Sequence, residues 1–412
     1  MLPVVVAETP ARTGFLRQRF AGLPRSFWVL WGGTLVNRLG TMVQPFFAFY
    51  LTGSRGLSVA EAGVVLAVFG SGSLVSQLLS GWLADRFGRR VTLTGGMLAT
   101  AVIMLVLAYA TTLPLIAACL LLLGIAIDIY RPASNALVAD LIPVEQRPRA
   151  FGLLFWAVNL GFTGGVLTGG VLAQSAVQLL FWIDALTGVV FGLLVWFAVP
   201  ESHSTPEHKV ETGSFRDVLR DRVMVGYVLV TTAYGIVYLQ SMITLPLAMK
   251  GQGLPASFYG YAMALNCVVI VIVQPLLVNW LGRIEHSRVL AIGMTVVGIG
   301  FGLTTFASSL LGYLGTVAVW SVGEIFFAGV SATIVANLAP PHLRGRYSGA
   351  YGFAWSLSSF VAPLFGTTLL DVNAATLWLT CAGVAFAAAA GHLLLGPAIR
   401  RRTAALRTDG AI

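Results

Sequence analysis

The sequence predicts an all-α membrane protein with twelve transmembrane helices in two pseudo-symmetric halves of six. Three observations predict it. Hydrophobic residues make up 57% of the chain and charged residues only 10%, whereas soluble domains carry about 25% charge. So few charges cannot cover a water-exposed surface, and lipid is the solvent that fits. Apolar runs of spanning length, roughly 20 residues, recur along the whole chain with short breaks. Landmarks of the first half also return in the second.

The runs fall near 26–51, 60–83, 91–112, 114–140, 149–172, 176–199, 223–248, 256–281, 289–308, 310–338, 346–370 and 373–396. The longest polar stretch, 200–222, divides six from six. The organisation is a tail over 1–25, a six-span half over 26–199, a central loop over 200–222, a second half over 223–396 and a tail over 397–412. The first tail holds Arg12, Arg17, Arg19 and Arg25 but no short apolar core with a cleavage site. It reads as a cytoplasmic tail and not as a cleaved leader. Ser58-Val-Ala-Glu61 reads as a capping box opening the second span, and Phe215 to Val223 as a short surface helix.

Orientation follows from Arg and Lys. With the N-terminus inside, the tails, the central loop and the loops at 86–90, 147–149, 283–288 and 344–346 hold 21 of the 25 basic residues. The outer loops hold only Arg55 and Lys250. This split places both termini in the cytoplasm. It also accounts for the net charge of +9 without nucleic acid, because the arginines line one membrane face, where anionic lipid attracts them. Cys119, Cys267 and Cys381 sit singly in apolar runs and the five histidines are scattered, so no metal site or other cofactor is expected.

The repeat has a nearly constant offset. LIPVEQRPRAFG at 141–152 matches LAPPHLRGRYSG at 338–349, and GWLADRFGRRV at 81–91 matches NWLGRIEHSRV at 279–289. A parallel six-plus-six repeat is an arrangement in which a small molecule binds between the halves near the midplane.

The loop between the second and third spans reads Gly81-Trp-Leu-Ala-Asp85-Arg86-Phe-Gly88-Arg89-Arg90. Here the chain resembles the major facilitator superfamily, whose signature at this loop is G-x-L-x-D-R-x-G-R-R/K. Gly88 supplies the tight turn. The resemblance implies that Asp85, with Asp140 at the end of the fourth span and an arginine of the loop, latches the two halves in one conformation. In the fifth span, Gly161, Gly165, Gly169 and Gly170 look like the GxxxGPxxGG element of the superfamily's drug:proton antiporters, with Val166 where that family has proline. Physically, small residues four apart let helix backbones approach closely, so plain packing is the competing reading.

Ionisable residues at membrane depth are expensive and mark pathways. They are Arg38 in the first span, Asp128 and Arg131 in the fourth, Asp184 in the sixth and Glu324 in the tenth. Asp128 and Arg131 share a helix face and can neutralise each other. Glu324 lies deep in an apolar run without a local partner, which makes it the first candidate to bind and release a proton, followed by Asp128 and Asp184. Asp184 reads as nearer the outer surface and half solvated. Asn37, Arg38, Arg131, Gln44, Gln240, Tyr234 and Tyr238 are candidates to line a substrate cavity. Pro45 and Pro246 mark spans that can bend and turn Gln44 and Gln240 inward. Tyr50, Trp156 and Trp355 are weaker candidates, because such rings more often pack or anchor at an interface. The alternative for every one of these charges is a structural ion pair.

The expected function is secondary transport by alternating access, with proton-coupled efflux of small, partly apolar compounds as the version the resemblance implies. Its partners would be the lipid bilayer, a small-molecule substrate and protons, in a bacterial inner membrane, with the monomer as the working unit. A sugar or organic-anion carrier of the same superfamily is the alternative. A membrane enzyme would need a reactive constellation, and no nucleotide loop, HExxH or GxSxG is present. A sensor would call for a larger soluble domain than the 200–222 loop provides.

Overall fold

The computed structural model describes residues 23–143, 146–199, 215–281 and 283–408. Among them the chain is helical throughout, as lipid requires: backbone N–H and C=O groups without water must pair within their own segment. The helices are α1 (Arg25–Gly40), α2 (Val43–Phe49), α3 (Val59–Phe87), α4 (Arg89–Tyr109), α5 (Leu113–Leu141), α6 (Arg147–Ser175) and α7 (Val177–Ala198), then α8 (Phe215–Arg220), α9 (Arg222–Tyr238), α10 (Gln240–Gly251), α11 (Ala256–Leu281), α12 (His286–Leu303), α13 (Leu310–Leu338), α14 (Arg344–Val372) and α15 (Ala374–Thr408). Ten helical segments of the described residues are long and apolar enough to cross a membrane, and Leu113–Ile127 is a shorter apolar one. The chain is a multi-pass membrane protein. Its outer surface agrees: Phe197, Leu311 and Leu394 are each at least 80% exposed, which lipid accepts and water does not.

Two predicted spans are broken. The first divides into α1 and α2 at Thr41–Met42. Pro45 causes this, since it has no N–H to donate to the Thr41 carbonyl one turn earlier. α2 then runs into a π-turn, Tyr50–Ser54. The seventh span breaks at Leu239 between α9 and α10. There the Gln240 side-chain amide donates to the freed Ile236 carbonyl (2.8 Å) and to Ala362 O of α14 (3.0 Å), and its own oxygen accepts from Thr244.

Other boundaries follow their local chemistry. Ser58 N–H donates to Glu61 Oε2 (2.8 Å) and Glu61 N–H to Ser58 Oγ (3.2 Å), which is the predicted capping box. Gly88 turns the chain between α3 and α4 at φ 90°, a conformation that strains any side chain. Asp221 caps α9 by accepting from Val223 and Met224. Its other oxygen accepts from Tyr347 (2.6 Å) and pairs with Arg402 (3.1 Å), tying the starts of α9 and α14 to the end of α15.

Packing repeats along the chain. Before residue 200, α3 packs on α5, α4 on α5 and α7, and α1 on α6 and α7. After residue 214, α11 packs on α13, α12 on α13 and α15, and α9 on α14 and α15, the same five pairings moved along the chain. The two sets meet through α3 against α14, α6 against α11 and α2 against α10. At the loop end near residues 52 and 250, Lys250 Nζ donates to Thr52 Oγ1 (2.9 Å) and Gln174 is bonded to Ser257. A Cβ on Gly260 would lie 2.6 Å from Val166 O and 3.4 Å from Gly170 Cα, so α6 and α11 touch almost backbone to backbone.

Candidate functional site

Among the described residues, two buried polar centres are each built around one carboxylate. The first lies among α1, α2, α4, α5 and α7. The break after Gly40 leaves the first N–H groups of α2 without intrahelical partners. Asp184 of α7 faces that break, beside Thr41 and Gln44, and Arg38 is the opposing charge acting on it. Asp184 is only 4% exposed, and its Oδ2 makes no hydrogen bond among the described residues. Beside it Asn37, Arg38, Gln44 and Thr100 line a polar cavity of about 20 Å³. A cavity needs only about 10–15 Å³ to hold one water molecule. The structure thus corrects the half-solvated position expected for Asp184, because α1 and α7 pack too closely to admit bulk water.

On the other side of α1, glycines of α6 let α1 and α2 approach closely. A Cβ on Gly161 would lie 2.5 Å from Arg38 Cβ and 2.8 Å from Leu35 O. One on Gly165 would meet Arg38 O at 3.0 Å, and one on Gly169 the Phe46 ring at 2.8 Å. This glycine face sets α1 and α2 against α6 and holds Arg38 in place. Gly170, on another face, meets α11 at Ser257 Cα (3.0 Å).

The second centre lies among α9, α11, α13 and α14. Glu324 stands midway along α13. Its Oε1 accepts from Tyr238 Oη (3.0 Å) and its Oε2 from Asn266 Nδ2 (2.8 Å), and Asn266 also donates to Ser321 Oγ. Aromatic rings wall it in. Tyr234 stacks on Phe327 with ring centroids 3.8 Å apart, and Trp355 stands edge-on to Tyr234, Tyr238 and Phe327 at about 6 Å. Tyr234 is buried, whereas Tyr238, Glu324 and Trp355 keep part of their surface.

The expected site residues therefore sort into groups. Asn37, Arg38, Gln44 and Asp184 come together around the first centre, and Tyr234, Tyr238 and Glu324 around the second. Gln240 is fully buried and its amide is engaged by the α9–α10 break, which corrects the expectation that it turns toward a cavity. Tyr50 is buried and donates to Leu107 O, under Arg55, and Trp156 is half exposed on the outer surface. Neither lies at a centre. Of the latch loop, Arg90 sits over the Trp196 ring (4.9 Å) near the C-terminal end of α7, a favourable place for a cation. Arg86 is exposed and Arg89 half-buried. Gly81 and the side chains of Asp85, Asp128, Arg131 and Asp140 lie outside the described residues. Asn266 and Thr100 were missed by the sequence reading. A single Asn or Thr in an apolar run gives little signal until its carboxylate partner, 58 residues away for Asn266, is located.

Comparison with known proteins adds three findings. The model of the Major Facilitator Superfamily matches residues 30–363, and again 226–408. A Multidrug resistance protein MdtH of Aeromonas salmonicida is 26% identical over 356 residues, covering 84% of this chain and 87% of that relative. A Na+, Li+, K+/H+ antiporter of Planococcus maritimus is 24% identical over 368 residues, covering 81% and 86%. Among solved structures, a POT family transporter in complex with a thioalcohol conjugated peptide superposes with a TM-score of 0.80 at 14% identity, over 93% of this chain and 98% of that one. At that identity the likeness is one of fold. These relatives and neighbours are transporters and not enzymes.

Proposed function

We propose that this chain, which belongs to the Major Facilitator Superfamily, is a proton-coupled exporter of small, partly apolar compounds. The observation that carries the reading is Glu324. It is a carboxylate midway along an apolar helix, held by two neutral donors from α9 and α11 and walled by aromatic rings. Such a group can gain or lose a proton without leaving a partner charge unpaired, and the rings beside it offer contact area to an apolar substrate.

The rest of the reading follows the family. Twelve spans form two six-span halves, 26–199 and 223–396, with α1 and α2 as the first span, α9 and α10 as the seventh, and cytoplasmic segments at 1–25, 200–222 and 397–412. The repeated packing supports this division, and the Arg distribution supports cytoplasmic termini in a bacterial inner membrane. Substrate binds between the halves, near Asn37, Arg38, Gln44 and Arg131 on one side and Tyr234 and Tyr238 on the other. Asp85, Asp140 and the loop arginines latch the cytoplasmic ends. Asp184 and Asp128 are secondary proton sites. The relative named as a multidrug resistance protein supports efflux. A second reading, monovalent cation/proton exchange, is favoured by the relative named as an antiporter of such cations. It would use the same carboxylates.

The deciding experiment is transport in proteoliposomes without ATP. An imposed pH gradient should drive uphill accumulation of a lipophilic dye. Accumulation of Na+ or K+ instead would select the second reading. Dependence on ATP, or no response to the gradient for either solute, would end the first.

A further inference from the structure

A sizeable cavity lies away from both carboxylates, at the end of the bundle where the loop arginines gather. It holds about 610 Å³, lies between the α11–α12 turn, the end of α13 and the end of α15, and is open on one side. This is the size class of pockets that take small organic ligands. Its polar wall includes Arg283, His286, Arg400 and Thr403, and its apolar wall Ile334 and Ile399.

Charge balance makes the polar wall cationic. Glu285 also faces the pocket, but two arginines compensate it: Arg400 bonds one of its oxygens and Arg288 the other at 3.0 Å. Arg283, exposed at the mouth, is left in excess of that pairing. Gly396 keeps the site compact. A Cβ there would lie 3.1 Å from Ser287 Cβ and 3.2 Å from Glu285 Oε1, so the turn docks directly on α15.

The depth of the pocket is set by helix length. At about 1.5 Å per residue the 35 residues of α15 run to roughly 50 Å, against about 30 Å of hydrocarbon. The last turns, Arg400 onward, therefore reach headgroup level, and Ile334 and Ile399 form the apolar side of the same pocket. A site with cations at headgroup level beside an apolar wall suits an amphiphile with an anionic head.

We propose that this pocket binds the phosphate of an anionic phospholipid from the surrounding leaflet, with Arg283 and Arg400 on the phosphate and Ile334 and Ile399 against the first acyl carbons. The test is native mass spectrometry of the full chain in detergent, which reads binding independently of transport and of membrane orientation. Delipidated protein is titrated with phosphatidylglycerol, phosphatidylcholine or inorganic phosphate. Phosphatidylglycerol should occupy one tight site at least about tenfold more strongly than phosphatidylcholine, a difference of ~1.4 kcal/mol. Arg283→Gln should weaken that one site by about the same factor. Thr403→Trp, which fills the cavity and leaves every charge in place, should remove it. Both variants spare the Arg400–Glu285 tie, so folding is preserved. Equal binding of the two lipids overturns the proposal, as does an unchanged tight site in both variants. Displacement of the lipid by millimolar inorganic phosphate would make the site one for free phosphate and overturn the lipid assignment.

Discussion

The two carboxylate centres answer the same problem differently. Asp184 shares its neighbourhood with a cation, Arg38, at the break of the first span. The described groups bonded to Glu324, Tyr238 and Asn266, are both neutral. Protonating Asp184 would remove a charge that faces Arg38, whereas protonating Glu324 strands no charge among its bonded partners. A charge-paired centre holds two helices together, and a neutrally solvated one is free to exchange a proton. The comparison assigns structure mainly to the first centre and coupling mainly to the second.

The largest effect should come from breaking the pair. Removing Arg38 takes away the opposing charge that acts on the buried Asp184 carboxylate, and a buried charge left uncompensated costs up to about 3–5 kcal/mol. Arg38→Gln alone should therefore lower thermal stability in detergent strongly. Arg38→Gln combined with Asp184→Asn should recover most of the loss. A double variant no more stable than the single one would mean that Asp184 and Arg38 do not pair. Next comes Glu324→Gln. It keeps the shape and an acceptor for Tyr238, but its NH2 faces the Asn266 donor, so stability should fall by about 1–3 kcal/mol. Uphill transport driven by a pH gradient should fall about a hundredfold, near 2.7 kcal/mol, while downhill exchange persists. Full pH-driven accumulation in this variant would return Glu324 to a structural role.

A third test acts on the first centre through its packing. Gly161→Val places atoms where Arg38 Cβ and Leu35 O already stand, and overpacking of this kind costs about 1–3 kcal/mol. Gly152→Ala, in the same helix with nothing within 4 Å, is the control and should melt within about 0.5 kcal/mol of wild type. If both melt alike, the α1–α6 contact is looser than the distances imply.

Much of this was legible in the sequence because it depends on local chemistry or on composition. The capping box at Ser58, the turn at Gly88 and the bend at Pro45 each follow from a residue acting on its own backbone. The glycine spacing in α6 announced close packing. What it did not announce was the partner, since the contacts of Gly161 and Gly165 lie on α1, more than a hundred residues earlier. Depth was misread for Asp184, because distance from a loop says nothing of whether a neighbouring helix excludes water. Gln240 was misread for a related reason: a polar side chain in a bent span can serve the bend itself. The Glu324 centre was half legible. Its isolation in the apolar run was visible, and its donors, 86 and 58 residues away, were not.

The smallest expected effect tests whether those donors act through the carboxylate. Tyr238→Phe removes one hydroxyl and keeps the ring that packs against Tyr234 and Trp355, so the aromatic wall stays. A lost hydrogen bond to a charged group is worth about 1.5–3 kcal/mol and one to a neutral group about 0.5–1.5 kcal/mol. PH-driven transport should accordingly fall roughly tenfold if Glu324 accepts this bond while ionised, and about threefold if it does so mainly while neutral. A cycle with Glu324→Gln separates this from mere packing. Where the hydroxyl works by positioning and solvating the carboxylate, its removal costs little extra once the carboxylate is an amide, leaving an interaction of at least ~0.5 kcal/mol between the two changes. Additive losses in downhill exchange, which both single variants still perform, would show that Tyr238 serves the fold or the substrate and that Glu324 manages its proton without it.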